Sequence, residues 1–259
     1  MRFIKSSKEE RLFDRIDSAN FYDVETLSVV WETKQEIAER LLPPPLEPFD
    51  KPIARAYVCE FPKTNFGISY YETALMLVCK YKGEVGVYIL AMHVNNDMAM
   101  ALGREMFGYP KKMAEIEFKR GKLGASGWGK RQGVKVVEIA SKIMKTISAE
   151  EAVEMQLGPS EGEDTVFAFK HFPAHDGDGF DYPPRLISSP VAYTRRMVRV
   201  GPADIKFQPS KYDPWHEIEV VKMVGAIFTV ANTSMLRGKV LAEAEADTFK
   251  PYSYLKWDS

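Results

Sequence analysis

The chain has 259 residues, 45% hydrophobic and 27% charged, which is enough apolar material for a substantial core. Its 35 basic and 36 acidic residues leave a formal net charge of -1, which excludes a global field that recruits nucleic acid or an anionic membrane. The expected partners are a small molecule and other copies of the chain.

No linker divides the sequence, so one domain spanning 1–259 is expected. Charges interrupt MRFIKSSKEERLFDRI where a signal peptide needs its apolar centre, and no apolar run approaches the ~20 residues that span a bilayer. A cytoplasmic protein is therefore expected. Cys59 and Cys79 each sit in an apolar strand-like segment and read as buried free thiols in a reducing compartment rather than as a disulfide.

In chain order, residues 5–17 are charged and weakly amphipathic, and a short helix or arm is expected there. ETLSVVWET, residues 25–33, reads as a strand. QEIAERLL then has helical spacing and stops at Pro43, Pro44 and Pro45, with LLPPPLEP expected as a rigid extended connector. IARAYVCEF, residues 53–61, is the next strand, ended by Pro62. GISYYETALMLVCKY and VGVYILAMHV form a long hairpin around a Lys-Gly-Glu turn, apolar on both faces. Glu72 is the lone charge between Ile68 and Val78, so it lies at an exposed strand end or faces an enclosed site.

Asn95, Asn96 and Asp97 supply N-cap chemistry for the helix MAMALGREM, which Gly108 and Pro110 terminate. Tyr109 precedes proline and is biased toward an extended backbone, so the lysines are expected to begin a strand running on through MAEIEF. On a strand Lys111 and Lys112 point to opposite faces, and only one of them can enter a given pocket. GKLGASGWGKRQG lacks phosphate-loop spacing and reads as hairpin turns before the strand VKVVEIASKI. Ser148 and Glu151 make a capping box for a helix closed by Gly158 and Pro159.

TVFAFKHF, SSPVAYTRRMVRV, ADIKFQ and HEIEVVKMVGAIFTVANTSML are mostly strand-like. His171 and His175 flank Pro173 in a loop, His93 and His216 have no visible partner, and no metal or cofactor is expected. Tyr252 and Tyr254 belong to an aromatic tail expected to dock on the body, the alternative being polar groups over a pocket. Roughly ten short strands with few helices predict a mainly β (α+β) fold built on a closed or highly curved antiparallel sheet.

The stretch richest in chemistry is GREMFGYPKKM, residues 103–113. A lysine of ordinary pKa is about 10.4, and bringing it to about 7 means disfavouring the cation by roughly 4–5 kcal/mol. Desolvation can supply a shift of that order, and the resulting free amine forms Schiff bases with ketones.

GREMFGYPKKM resembles the signature around the Schiff-base lysine of the acetoacetate decarboxylase family, which runs much like GRE....YPKK. The resemblance extends back through NNDMAMAL, YYETAL and LLPPPLEP, and more weakly forward through FAFKHFPAHDGD and VVKMVGAIFTVANTSML. It implies a cone-like β-barrel with a few short helices, a lysine in an apolar internal pocket, and homo-oligomers. Carried over residue by residue, it implies Lys111 as nucleophile, Lys112 as its catalytic neighbour and Glu72 as the acidic residue. Met92 falls on a pocket-lining position and is grouped with Tyr109 for substrate binding, joined by Arg104 and Glu105 of the GRE element in a structural or supporting role. Two positions depart: a family arginine falls at Val24 and a further glutamate at Tyr57, which changes how an acidic substrate is held.

The leading reading is a carbon-carbon lyase that decarboxylates a β-keto acid through an iminium on Lys111. The alternatives are an aldolase-dehydratase acting on pyruvate or a related keto acid, and a barrel that only binds a small ligand.

Overall fold

The structure is a computed structural model that describes residues 3–7 and 18–258. Apart from residues 5–7, the helix or arm expected over 5–17 lies outside the described residues.

Strand β1 (Ala19–Glu32) leads into helix α1 (Gln35–Leu41), β2 (Glu47–Pro48), β3 (Ile53–Phe61) and β4 (Lys63–Thr64). The long hairpin is β5 (Tyr70–Tyr81) and β6 (Glu84–Val94), followed by α2 (Asp97–Phe107) and β7 (Lys111–Met113). Next come β8 (Glu115–Arg120), β9 (Ala125–Arg131), β10 (Val134–Ser141), β11 (Lys145–Ile147) and α3 (Ala149–Glu154). The chain continues through β12 (Glu161–Lys170), β13 (Arg185–Gly201), β14 (Asp204–Phe207), β15 (Lys222–Met235), β16 (Lys239–Glu243) and α4 (Ala246–Phe249), and a 3-10 turn covers Lys250–Lys256.

Seven strands close a barrel in the order β5-β3-β1-β15-β13-β12-β6, with β6 pairing back onto β5. All of these pairings are antiparallel except β12 with β6, where Val166 lies opposite Val87. Closure removes the free edges that a twisted sheet would otherwise expose. A second sheet, β14-β10-β9-β8, lies across the outside of the barrel against β1, β3 and β5.

Strand alternation divides the apolar residues between two spaces. On β3, Ala54, Ala56 and Val58 face outward and are fully buried with Leu27, Val29, Leu77 and Ile139 in the core between barrel and second sheet. Residues of the opposite parity, Arg55, Tyr57, Cys59 and Phe61, line the barrel interior. The doubly apolar hairpin of the sequence is explained by this sandwich. Cys59 and Cys79 are both free and buried.

Several local expectations change. The proline segment is not extended throughout: it turns at Pro44 and Pro45, where the Leu46 N–H, the first donor after three prolines, closes onto Pro43 O at 3.0 Å. The strand begun by the lysines does not run through MAEIEF; the Ala114 N–H donates to Val94 O at 2.9 Å, and the chain passes from the barrel at β7 to the second sheet at β8. The glycine-rich stretch is more than turns, since β9 runs through it. A methyl on Gly127 would lie 2.6 Å from Val58 Cγ1, so the glycine permits the close approach of the second sheet to the barrel. Short ladders such as β2, β4 and β11 raise the strand number to sixteen among the described residues. At the start of HEIE, Trp215–Glu217 is a 3-10 turn rather than a strand.

Candidate active site

The site is assembled where α2 returns the chain to the barrel. Asn96 caps α2, its Oδ1 accepting the Ala99 N–H at 3.0 Å. Gly108 ends the helix at φ 73°, where a methyl would also lie 2.7 Å from the Lys170 backbone, so glycine is required twice over. Pro110 then sets up β7, which pairs in parallel with β6 so that Lys111 lies opposite Met92 and Lys112 opposite His93. The two lysines thereby enter different environments.

Lys111 faces the barrel interior, a cavity of about 440 Å³. Its Nζ donates to Glu72 Oε2 at 2.8 Å, and the Tyr57 hydroxyl donates to Glu72 Oε1 at 2.5 Å. The Lys111 amine also lies 5.4 Å from the Tyr70 ring centroid, over its face. Lys111 is 5% exposed and Glu72 3%, so the contact is shielded from solvent competition. Burial, and then the adjacent Glu72 charge, holds the Tyr57 and Tyr70 phenols well above their ordinary range. Burial likewise pushes the Tyr109 phenol up, and the Cys59 thiol on the same wall. The wall thus presents proton donors and apolar surface around one amine-carboxylate pair.

Lys112 is buried on the opposite face. It donates to Tyr212 O at 2.8 Å and lies 3.4 Å from Asp213 Oδ1 and 3.2 Å from Asp258 Oδ1. Asp213 also receives Arg131 Nε at 2.9 Å and lies 3.1 Å from His93 Nε2. Burial opposes ionisation of Asp213, but the His93 hydrogen bond and the Lys112 and Arg131 charges outweigh it and hold the carboxyl well below its usual range. His93, which showed no partner in the sequence, belongs to this cluster.

Of the residues singled out in the sequence, Lys111, Glu72, Met92 and Tyr109 come together on the cavity wall. Lys112 does not line the cavity, because the alternation along β7 turns it away. Arg104 lies 4.8 Å over the Trp257 ring and Glu105 is exposed, and neither lines the cavity; the helical phase of α2 presents Gly103 to Lys111 instead. Val24 and Tyr57 both line it, so the two departures from the family pattern fall on the cavity itself. Tyr252 packs against Phe249, and neither it nor the half-exposed Tyr254 reaches this wall. Sequence reasoning missed Arg55, which lines the cavity with its Nη2 donating to Ser28 Oγ at 2.9 Å. The period-two spacing of Arg55 with Tyr57 was the available signal.

The family described as Acetoacetate decarboxylase (ADC) matches residues 3–244. Acetoacetate decarboxylase 3 of Mesorhizobium japonicum is 38% identical over 95 residues, 36% of each chain. Acetoacetate decarboxylase of Burkholderia ambifaria is 26% identical over 233 residues, 85% of this chain and 87% of its own. The CLA biosynthesis isomerase of Lactiplantibacillus plantarum is 26% identical over 265 residues, 96% of this chain and 92% of its own. Among solved structures, acetoacetate decarboxylase of Legionella pneumophila matches with a TM-score of 0.78 at 21% identity, over 87% of this chain and 88% of that one. The enduracididine biosynthesis enzyme MppR complexed with pyruvate matches with a TM-score of 0.69 at 19% identity, over 87% and 91%. At these identities the structural likeness speaks for the fold.

Proposed function

The chain belongs to the acetoacetate decarboxylase family, and from that premise we propose that it is a Schiff-base carbon-carbon lyase acting on a keto acid, with Lys111 as nucleophile. The observation that carries this reading is the buried contact of Lys111 Nζ with Glu72 Oε2 at 2.8 Å on the wall of the barrel cavity.

The amine can attack a ketone only with its lone pair free, and Glu72 is the group in position to take the proton. The C–N bond forms, water leaves, and an iminium results. When the C–CO2 bond breaks, its electron pair enters the iminium and gives an enamine, and a proton returned from Glu72 to the carbon restores the iminium. Hydrolysis then releases the ketone and the free lysine. Tyr57, kept protonated, holds the second Glu72 oxygen and so fixes the carboxylate against the amine. We take the enzyme to work as a cytoplasmic homo-oligomer; no helix among the described residues is long and apolar enough to cross a membrane.

A second reading, aldol condensation and dehydration through the same iminium, is favoured by Val24 and Tyr57 standing on the cavity wall where the family pattern has arginine and glutamate. A likeness to MppR, seen with the condensation product of pyruvate and imidazole 4-carboxaldehyde, points the same way.

Borohydride reduction with acetoacetate or pyruvate, followed by intact-mass and peptide mapping, tests the common step. A single adduct on Lys111, lost in Lys111→Arg, is expected; absence of any adduct on the wild-type chain overturns it. Acetone and CO2 from acetoacetate would assign decarboxylation, whereas a chromophoric unsaturated product from pyruvate plus an aldehyde would assign the second reading.

A further inference from the structure

Lys111 is open on a second side. A groove of about 590 Å³ between α2 and the chain joining β15 to β16 shares Phe21, Tyr70, Tyr109, Lys111 and Met235 with the barrel cavity. Its walls carry Leu102, Met106, Phe107, Ile187, Leu236 and Val240, of which Met106 and Val240 are more than half exposed. Among the described residues its remaining charge is entirely basic: Lys170, Arg185, Arg237 and Lys239 line it, and no described carboxylate does. Arg185 has a partner in Glu243 at 3.4 Å, between two exposed side chains. Lys170 and Lys239 make no ion pair among the described residues.

Grooves of this volume hold ligands much larger than acetoacetate, which would occupy only the surroundings of the Lys111 amine. Apolar side chains left in solvent beside a one-signed rim suit an amphipathic anion: the hydrocarbon covers the apolar wall, and the anion answers Lys170 and Lys239. We propose that the compound joined to Lys111 carries an aliphatic chain that lies along α2 and ends in a carboxylate held at the Lys170–Lys239 rim. This substrate class rests on the Schiff-base reading for the position of the carbonyl, but chain binding can be measured without it.

The probe is dodecanoate, which has the chain and the carboxylate but no ketone. Calorimetric titration of the wild-type chain, Lys111→Ala and the double variant Lys170→Glu/Lys239→Glu is compared with titration by methyl dodecanoate. Dodecanoate is expected to bind wild type and Lys111→Ala alike, to compete with borohydride trapping of pyruvate, and to bind the double variant about tenfold more weakly, the order expected for two partly exposed ion pairs. The ester should bind wild type and the double variant equally. Equal dodecanoate affinity for wild type and a folded double variant, no dodecanoate binding at all, or binding that leaves pyruvate trapping unaffected would overturn the proposal. The two readings fail separately. Pyruvate trapped on Lys111 without dodecanoate binding removes only the chain site, while dodecanoate bound to Lys111→Ala with no keto acid ever trapped removes only the Schiff base.

Discussion

Replacing Gly103 with alanine should displace the Lys111 amine while leaving the barrel intact. A methyl at this buried position in α2 would sit 2.5 Å from Lys111 Cδ, 2.6 Å from Cε and 3.2 Å from Nζ. Carbon atoms in ordinary contact are about 3.5–4.0 Å apart, so the end of the lysine must retreat by about 1 Å. Nζ would then leave its place 2.8 Å from Glu72. The atoms in the way belong to a flexible side chain, and alanine favours the helix over glycine by about 1 kcal/mol, which offsets part of the weakened ion pair. The melting temperature should therefore stay within about 4 °C of wild type, the shift that roughly 1 kcal/mol produces in a chain of this size. Activity should not: a misplacement of about 1 Å at the reacting group can cost on the order of 100-fold. The assay is the rate of borohydride-trapped adduct formation, with thermal unfolding on the same sample. A folded Gly103→Ala protein that is trapped at the wild-type rate would refute the idea that this gap seats Lys111. A collapse in melting temperature would refute the argument that the lysine absorbs the methyl.

Lys112→Ala should lower stability by about 1–3 kcal/mol, because it strips a donor from the buried Asp213 carboxylate and the half-buried Tyr212 carbonyl, yet it should retain trapping on Lys111. A folded Lys112→Ala protein as inert as Lys111→Ala would reverse that ordering. Tyr57→Phe removes the 2.5 Å hydrogen bond to Glu72 and should slow adduct formation by about 10- to 100-fold, in line with about 1.5–3 kcal/mol for a bond to a charged group; an unchanged rate would mean that Tyr57 only fills space. Burial, reinforced by the Lys256 and Arg104 charges, holds His171 down at about 3, so it is neutral in the folded protein while the unfolded chain takes up a proton near 6.5. Stability should therefore fall as pH drops below about 6.5, by about 2 kcal/mol at pH 5 from this residue alone. Urea midpoints at both pH values for wild type and His171→Phe provide the check, and equal slopes would count against it.

Elements with strong local punctuation were legible in the sequence. Ile53–Phe61 stops at Pro62, α2 lies between Asn96 and Gly108, and Ser148 with Glu151 forms the expected capping box. Glu72 stood out because no other charge shares its segment, and it is the carboxylate that meets Lys111. What stayed hidden depends on distance along the chain. Lys112 finds its acidic partners about a hundred or more residues away, at Asp213 and Asp258. The basic rim draws on residues from 170 to 239 that only the sheet order brings together. Arg104 and Glu105 stand beside the lysines in the motif, but the helical phase of α2 turns both away from the cavity wall. Strand β9 was masked by its glycines, whose purpose is contact with a second sheet that no local pattern announces.

The three-residue strand β7, with Met92 opposite Lys111 and His93 opposite Lys112, makes the doubled lysine a marker of orientation rather than a spare copy. Slipping the pairing by one residue would turn each side chain to the other face. An amine would still enter the barrel, but the one now bound among Asp213, Asp258 and Tyr212 would be pulled out of that cluster, leaving buried carboxylates short of a cation. The ionic cluster outside the barrel thus acts as a keel: without touching the cavity, it decides which of two chemically identical neighbours is presented there.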